Sequence, residues 1–224
     1  MSARGSITTV IFDFDGVLAD TERLHLRAFQ QVFSTRGWTL SEAVYFDRYL
    51  GYDDEGLIAA FDTDQQLRLA QADLDALSAE KERVFAGYLE AGDVLFPGAK
   101  LCVENLAKHF TLGIASGALK AEITNILGAA NLLRHFPVIV SAEDVNECKP
   151  APEPYLSAAR LLGAEPRVCV AIEDSPPGLQ AARTAGMRTV GVTTTAARHV
   201  LSADVVIDRL EEFTPELVTS LTGS

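Results

Sequence analysis

Asp13 and Asp15 stand two residues apart in TTVIFDFDGVLADTE, just after an apolar run and just before Gly16. Val10, Ile11 and Phe12 read as the end of a buried strand, and in extended backbone residues i and i+2 point to the same side. Two carboxylates then face one pocket at a strand end, where α/β proteins hold their ligands. Like charges that close repel unless a cation or a shared proton separates them, so the pair implies chemistry.

Other strand-like runs end in equally reactive types. LGIAS stops at Ser116-Gly117, a hydroxyl followed by an accessible backbone amide. The loop AEDVNECKPAPEP carries Lys149 between Cys148 and Pro150, and Cys148 reads as a buried, inert thiol. VCVAIED ends in Glu173-Asp174 and runs into SPPGLQAA, a helix opening that Asp174 can cap. Four carboxylates, a hydroxyl and an ammonium on one crevice suit phosphoryl transfer. Oxygen-only donors favour a hard cation, Mg²⁺, with open positions for water and phosphate. The cation screens the carboxylates from each other and admits a phosphate dianion. Lys149 adds a second positive point, and Ser116 with the Gly117 amide binds phosphoryl oxygens. Asp13 is then the nucleophile and Asp15 the acid that protonates the leaving oxygen.

The elements that must position these residues follow from periodicity. In ADTERLHLRAFQQVF, Asp20 or Thr21 can cap a helix whose Leu26, Phe29 and Phe33 form one apolar face. GLIAAF and LRLAQADLDALSAEKERVFAGYLEAG stay helical in character, with stripes from Leu67, Leu74, Leu77, Val84 and Leu89. Residues 21–91 are read as an all-helical unit. From Phe96-Pro97-Gly98 onward, TLGIAS, PVIVS, VCVAIED, RTVGVT and DVVID alternate with helical segments. That alternation predicts an α/β, doubly wound (Rossmann-like) parallel sheet that includes VIFDF. The expected division is a core of residues 1–20 and 92–224 with an inserted helical cap of 21–91. With the third strand outside the second and VCVAIED beside the first, a topological switch point separates those last two.

Composition bounds the partners. The 224 residues suffice for one large core plus a smaller insert. A formal net charge of −12 disfavours nucleic acid or an anionic membrane as partner. It also leaves the question of how an anionic substrate is held, which the cation answers locally. Cys102, Cys148 and Cys169 are odd in number and widely spaced, which fits reduced thiols. No apolar run approaches the ~20 residues needed to span a bilayer. A cytoplasmic location is the default, as a monomer or a small homo-oligomer.

DFDGVLAD, the Ser116 strand end, Lys149-Pro150 and EDSPPG, in that order, resemble the four motifs of the haloacid dehalogenase superfamily. The helical insertion resembles the cap of its phosphatase and β-phosphoglucomutase-like members. The likeness spans essentially the whole chain, and it implies roles. Asp13 forms an aspartyl-phosphate. The Asp15 backbone carbonyl joins Asp13 and Asp174 on Mg²⁺, and Glu173 is a further metal or supporting ligand. The Asp15 side chain donates a proton and then activates water. His25 matches a histidine that positions the acid/base and contributes to phosphate binding along with Gly16; Lys81 matches a lysine of the last cap helix. Cap closure is expected from hinges near Gly16–Ala19 and Gly92–Phe96. One departure is that Gly51-Tyr52-Asp53-Asp54-Glu55-Gly56 is acidic where the mutases carry an arginine for a second phosphate. The expected activity is Mg²⁺-dependent hydrolysis of a small phosphate monoester, of sugar phosphate or phosphoglycolate type, with sugar phosphomutase as the alternative. A phosphoryl-accepting receiver uses similar groups but is a domain of ~120 residues with no helical insert.

Overall fold

The computed structural model describes residues 6–49, 52, 54–90 and 94–221. Six strands alternate with helices along most of it: β1 Thr9–Phe12, β2 Thr111–Ala115, β3 Val138–Val140, β4 Cys169–Glu173, β5 Arg188–Val192 and β6 Val205–Ile207. They form one parallel sheet in the order β3-β2-β1-β4-β5-β6. The fold is α/β, doubly wound and Rossmann-like. The chain builds outward from β1 in one direction and then returns to build outward from β4 in the other. The switch point thus lies between β1 and β4. Every residue of β1 and β4 is buried, which is why their sequences are continuous apolar runs and do not alternate.

Contacts divide the chain at Asp20 and again at Val94. Between those points lies a helical unit of α1 Thr21–Ser34, a short α2 Glu42–Val44 that runs into a π-helical turn Tyr45–Tyr49, α3 Asp54–Gln65 and α4 Gln71–Glu90. Its core gathers Leu26, Phe29, Phe33, Tyr49, Leu57, Phe61 and Leu77, with the Phe33 and Phe61 rings stacked at 4.3 Å. The π-helical turn has no counterpart in the periodicity.

In the sheet unit, α5 Ala99–Leu106, α6 Lys120–Ala129, α7 Glu153–Leu161, α8 Pro176–Thr184 and α9 Pro215–Ser220 connect and cover the strands. Ala158, Ala159, Ala181 and Ala182 let α7 and α8 come close to Ile11, Ala115 and Ala171 of the sheet. Elsewhere Phe12 meets Phe136 and Phe213 edge-on, each at 5.9 Å. The segment entering the helical unit pairs with the segment leaving it: Asp20 N–H donates to the Val94 carbonyl at 2.8 Å and Phe96 N–H to the Leu18 carbonyl at 3.0 Å.

Candidate active site

Sheet register puts the reactive residues at one edge. Phe12 stands opposite both Ile114 of β2 and Ile172 of β4, so the residues that follow all three strands leave the sheet at the same level. Asp13 continues the ladder by one bond, its N–H donating to the Ile172 carbonyl at 3.0 Å, which fixes its side chain at the switch point. Its carboxylate is nearly buried, and Lys149 Nζ lies 2.8 Å from Asp13 Oδ1. The same ammonium reaches Glu173 Oε1 at 2.7 Å.

Glu173 is the last residue of β4 and fully buried. Besides Lys149 it accepts hydrogen bonds from the Tyr155 hydroxyl at 2.8 Å on Oε1 and from Ser175 Oγ at 3.0 Å on Oε2. Gly178 makes room for it, since a Cβ there would stand 1.9 Å from the Glu173 carboxyl carbon. Ser175, and not Asp174, caps α8: its Oγ accepts from Gly178 N–H at 3.2 Å, with Pro176 opening the first turn. Asp174 is therefore left to the site.

Gly16 follows the same logic. It has φ +75°, and a Cβ would lie 2.0 Å from Asp174 Oδ2 and 2.8 Å from Thr195 Oγ1. The first motif thus ends in glycine so that the acid of the last motif can approach it. Thr194 Oγ1 donates to the Gly16 carbonyl, tying the loop after β5 to that turn. Asp15 lies half-buried in the turn and bridges to Ala19. Ser116 is buried after β2, its N–H bonded to the Val140 carbonyl at 2.9 Å and its Oγ accepting from Ala118 N–H at 3.1 Å. At Gly117 nothing lies within 4 Å of where a Cβ would sit, so that backbone is open to a ligand.

The electrostatics are lopsided. One carboxylate oxygen each from Asp13, Glu173 and Asp174 lie within 4.8 Å of one another, with Lys149 as the ammonium among them. Burial first, and then the charge of Glu173, pushes Asp174 up to about 6, against the pull of a hydrogen bond from Thr195 and of Lys149. Burial also raises Asp13 well above its usual range, assisted by Glu173 and opposed by Lys149. Lys149 is itself raised, because the charges of Asp13 and Glu173 outweigh its desolvation. A hard divalent cation is what three crowded oxygen donors with excess negative charge accommodate, so the residues fit Mg²⁺. Asp13 and Asp174 would hold it, with Glu173, whose oxygens already take Lys149, Tyr155 and Ser175, as the supporting carboxylate behind them. The Asp15 carboxylate is not among the gathered oxygens; the resemblance assigns its backbone carbonyl to that role.

Two sequence candidates lie in the helical unit. Lys81, on α4 and buried, places Nζ 2.5 Å from His25 Nδ1 on α1 and 2.6 and 2.7 Å from the two carboxylate oxygens of Asp54. Phe29 and Phe85 flank the ammonium, and His25 stacks on Phe85 at 4.1 Å. Of the acidic stretch, Gly51 and Asp53 lie outside the described residues, as does Gly92 of the expected hinge. The expectation for Cys148 needs correction: it is exposed, because its loop runs over the surface before Lys149 turns inward, whereas Cys102 and Cys169 are buried. The sequence pattern did not reveal Tyr155 or Thr195, nor that Asp54 of the acidic stretch pairs with Lys81. Tyr155 OH meets Glu173 eighteen residues away, a distance no local motif records.

The model of haloacid dehalogenase-like hydrolases matches residues 10–192. The chain is 31% identical over 191 residues to the fructose-1-phosphate phosphatase YqaB of Escherichia coli, covering 82% of this chain and 95% of that one. It is 34% identical over 204 residues to protein SUPPRESSOR OF QUENCHING 1 of Arabidopsis thaliana, covering 88% of this chain but only 19% of that much longer protein. Among solved structures, CbbY from Rhodobacter sphaeroides in complex with phosphate superposes with a TM-score of 0.75 at 28% identity, covering 96% of this chain and 100% of the other. With its strand order and a match that runs from β1 to the end of β5, the chain belongs to the haloacid dehalogenase-like hydrolases.

Proposed function

We propose that this chain, a phosphoric monoester hydrolase, removes phosphate from a small phosphorylated metabolite of the sugar phosphate or phosphoglycolate type, with Mg²⁺, through an aspartyl-phosphate on Asp13. The observation that carries the reading is Asp13 at the switch point, 2.8 Å from Lys149 and clustered with Glu173 and Asp174. A carboxylate nucleophile needs an anionic phosphoryl group brought against it, which is a problem of charge before it is one of bonding. Mg²⁺ held there would supply charge neutralisation for the phosphoryl group.

The rest falls to the chain's own residues. Lys149 offers an ammonium toward the phosphoryl oxygens from beside the nucleophile, while the Ser116 hydroxyl and Gly117 N–H hold further oxygens. An Asp13 oxygen attacks phosphorus as the ester oxygen departs, taking its proton from Asp15. Asp15, now a carboxylate, removes a proton from water, which attacks the same phosphorus and returns Asp13 to a carboxylate with release of inorganic phosphate. The absence of an arginine from the acidic stretch around Asp54 and Glu55, where by resemblance the mutases carry one for a second phosphate, supports hydrolysis over phosphomutation. The name of the YqaB relative points to the same substrate class.

The test is inorganic phosphate release across a panel of sugar phosphates, phosphoglycolate and nucleotides. Asp13→Asn should lower turnover by at least about a thousandfold with an unchanged circular dichroism spectrum. A variant with near-normal turnover would remove Asp13 from the nucleophile role. Isomerised sugar phosphate in place of free phosphate would turn the reading to a mutase.

A further inference from the structure

Tyr155 sits on α7, fully buried, and touches the site in two ways. Its hydroxyl donates to Glu173 Oε1 at 2.8 Å, and its ring lies under the Lys149 ammonium, 5.2 Å from Nζ to the centroid. Oε1 thus receives two donors at once, Tyr155 OH and Lys149 Nζ at 2.7 Å, while Oε2 is held by Ser175. A carboxylate oxygen has two lone pairs, so the two donors between them satisfy Oε1. The contest over Lys149 is close to even, with Asp13 at 2.8 Å on one side and Glu173 at 2.7 Å on the other. Taking away the hydroxyl leaves Oε1 short of one donor in a dry environment, and the nearest replacement is more of Lys149.

We propose that Tyr155 is a positioning residue: by satisfying Glu173, it keeps Lys149 shared with Asp13 and available to a phosphoryl group. The ring contributes a second restraint, since a cation over an aromatic face is attracted to it without being withdrawn from its anionic partners. This rests on the reading of Lys149 as a phosphoryl-binding group, and the experiment separates the two claims.

Mg²⁺ is titrated by calorimetry into the wild-type chain, Tyr155→Phe and Lys149→Met, and inorganic phosphate into each after saturation with Mg²⁺, with thermal melts as a folding control. Tyr155→Phe keeps the ring and the volume and deletes only the hydroxyl. Its phosphate dissociation constant should rise about fivefold, less than the roughly tenfold expected from loss of a direct hydrogen bond to a charged group. Mg²⁺ affinity should stay within twofold, and KM should rise more than kcat falls. If Tyr155→Phe binds phosphate as the wild type does while Lys149→Met does not, the positioning role is wrong and the site reading stands. Equal losses of phosphate and Mg²⁺ would mean a general loosening of Glu173 and would also overturn it. Undiminished phosphate binding by Lys149→Met would overturn the site reading and the proposal with it.

Discussion

At the scale of single residues, glycine does as much as the acids to make this site. Gly16 holds a left-handed backbone with Asp174 Oδ2 in the space a Cβ would need. Gly16→Ala therefore carries two faults, about 1–2 kcal/mol of backbone strain and displacement of a carboxylate. Urea denaturation should show at least the first, and Mg²⁺ titration should show weakened binding from the second. A variant of unchanged stability and metal affinity would mean that the turn relaxes at no cost. Asp13, Ser116, Lys149 and Asp174 were legible because each sits directly after a strand-like run or in the loop that follows one. Tyr155, Thr195 and Gly178 were not, because what they touch is decided by packing between α7, β4 and the loops. Asp174 was half legible: the sequence allowed it to cap α8, but Ser175 takes the cap.

At the scale of elements, the helical unit carries its own electrostatic anchor. Burial alone would raise Asp54, but hydrogen bonds with His25 and Lys81 hold it below its ordinary value of 3.8. A carboxyl depressed on folding stabilises the fold above that ordinary value and loses the contribution as pH falls through its lower folded value. Acidification below about pH 4 should therefore loosen the α1–α3–α4 packing. Trp38, the chain's single tryptophan, packs against Phe33 and Phe61 and reports on that unit. Its fluorescence should shift on acidification, and Asp54→Asn should be less stable at neutral pH and less sensitive to acid. An identical acid transition in that variant would place the titrating group elsewhere. Helix positions here were legible from the spacing of Leu26, Phe29 and Phe33. The α3–α4 ion pair was not, since Asp54 and Lys81 are 27 residues apart. Helix α9 went unread although Thr214-Pro215 is a cap followed by a first-turn proline.

At the scale of the whole molecule, a chain of net charge −12 that binds a phosphate ester needs positive charge concentrated in one place. Lys149 would be one such charge, and bound Mg²⁺ the other. EDTA should abolish phosphate release and Mg²⁺ restore it. A ligand that binds only the folded chain raises its stability, so Mg²⁺ at a hundredfold excess over its dissociation constant should raise the melting temperature by roughly 5 °C or more. Metal-independent turnover would remove the cation from the reading. The parallel, doubly wound sheet was legible from apolar runs alternating with helices, whereas the strand order entered only as a supposition, because no local pattern records which strands pair.

The two backbone bonds that join Leu18 and Asp20 to Val94 and Phe96 have a consequence for how such a chain can diversify. Paired antiparallel strands stand about 5 Å apart, a gap that a two-residue turn also closes. The sheet unit therefore presents its inserted segment with a pre-formed socket, whose two lips are fastened by the sheet unit's own backbone. A segment of any length whose ends match that gap can occupy the socket, and the strand order beneath it asks nothing more of the insert. The strand order and the interior of the insert are then free to change at different rates.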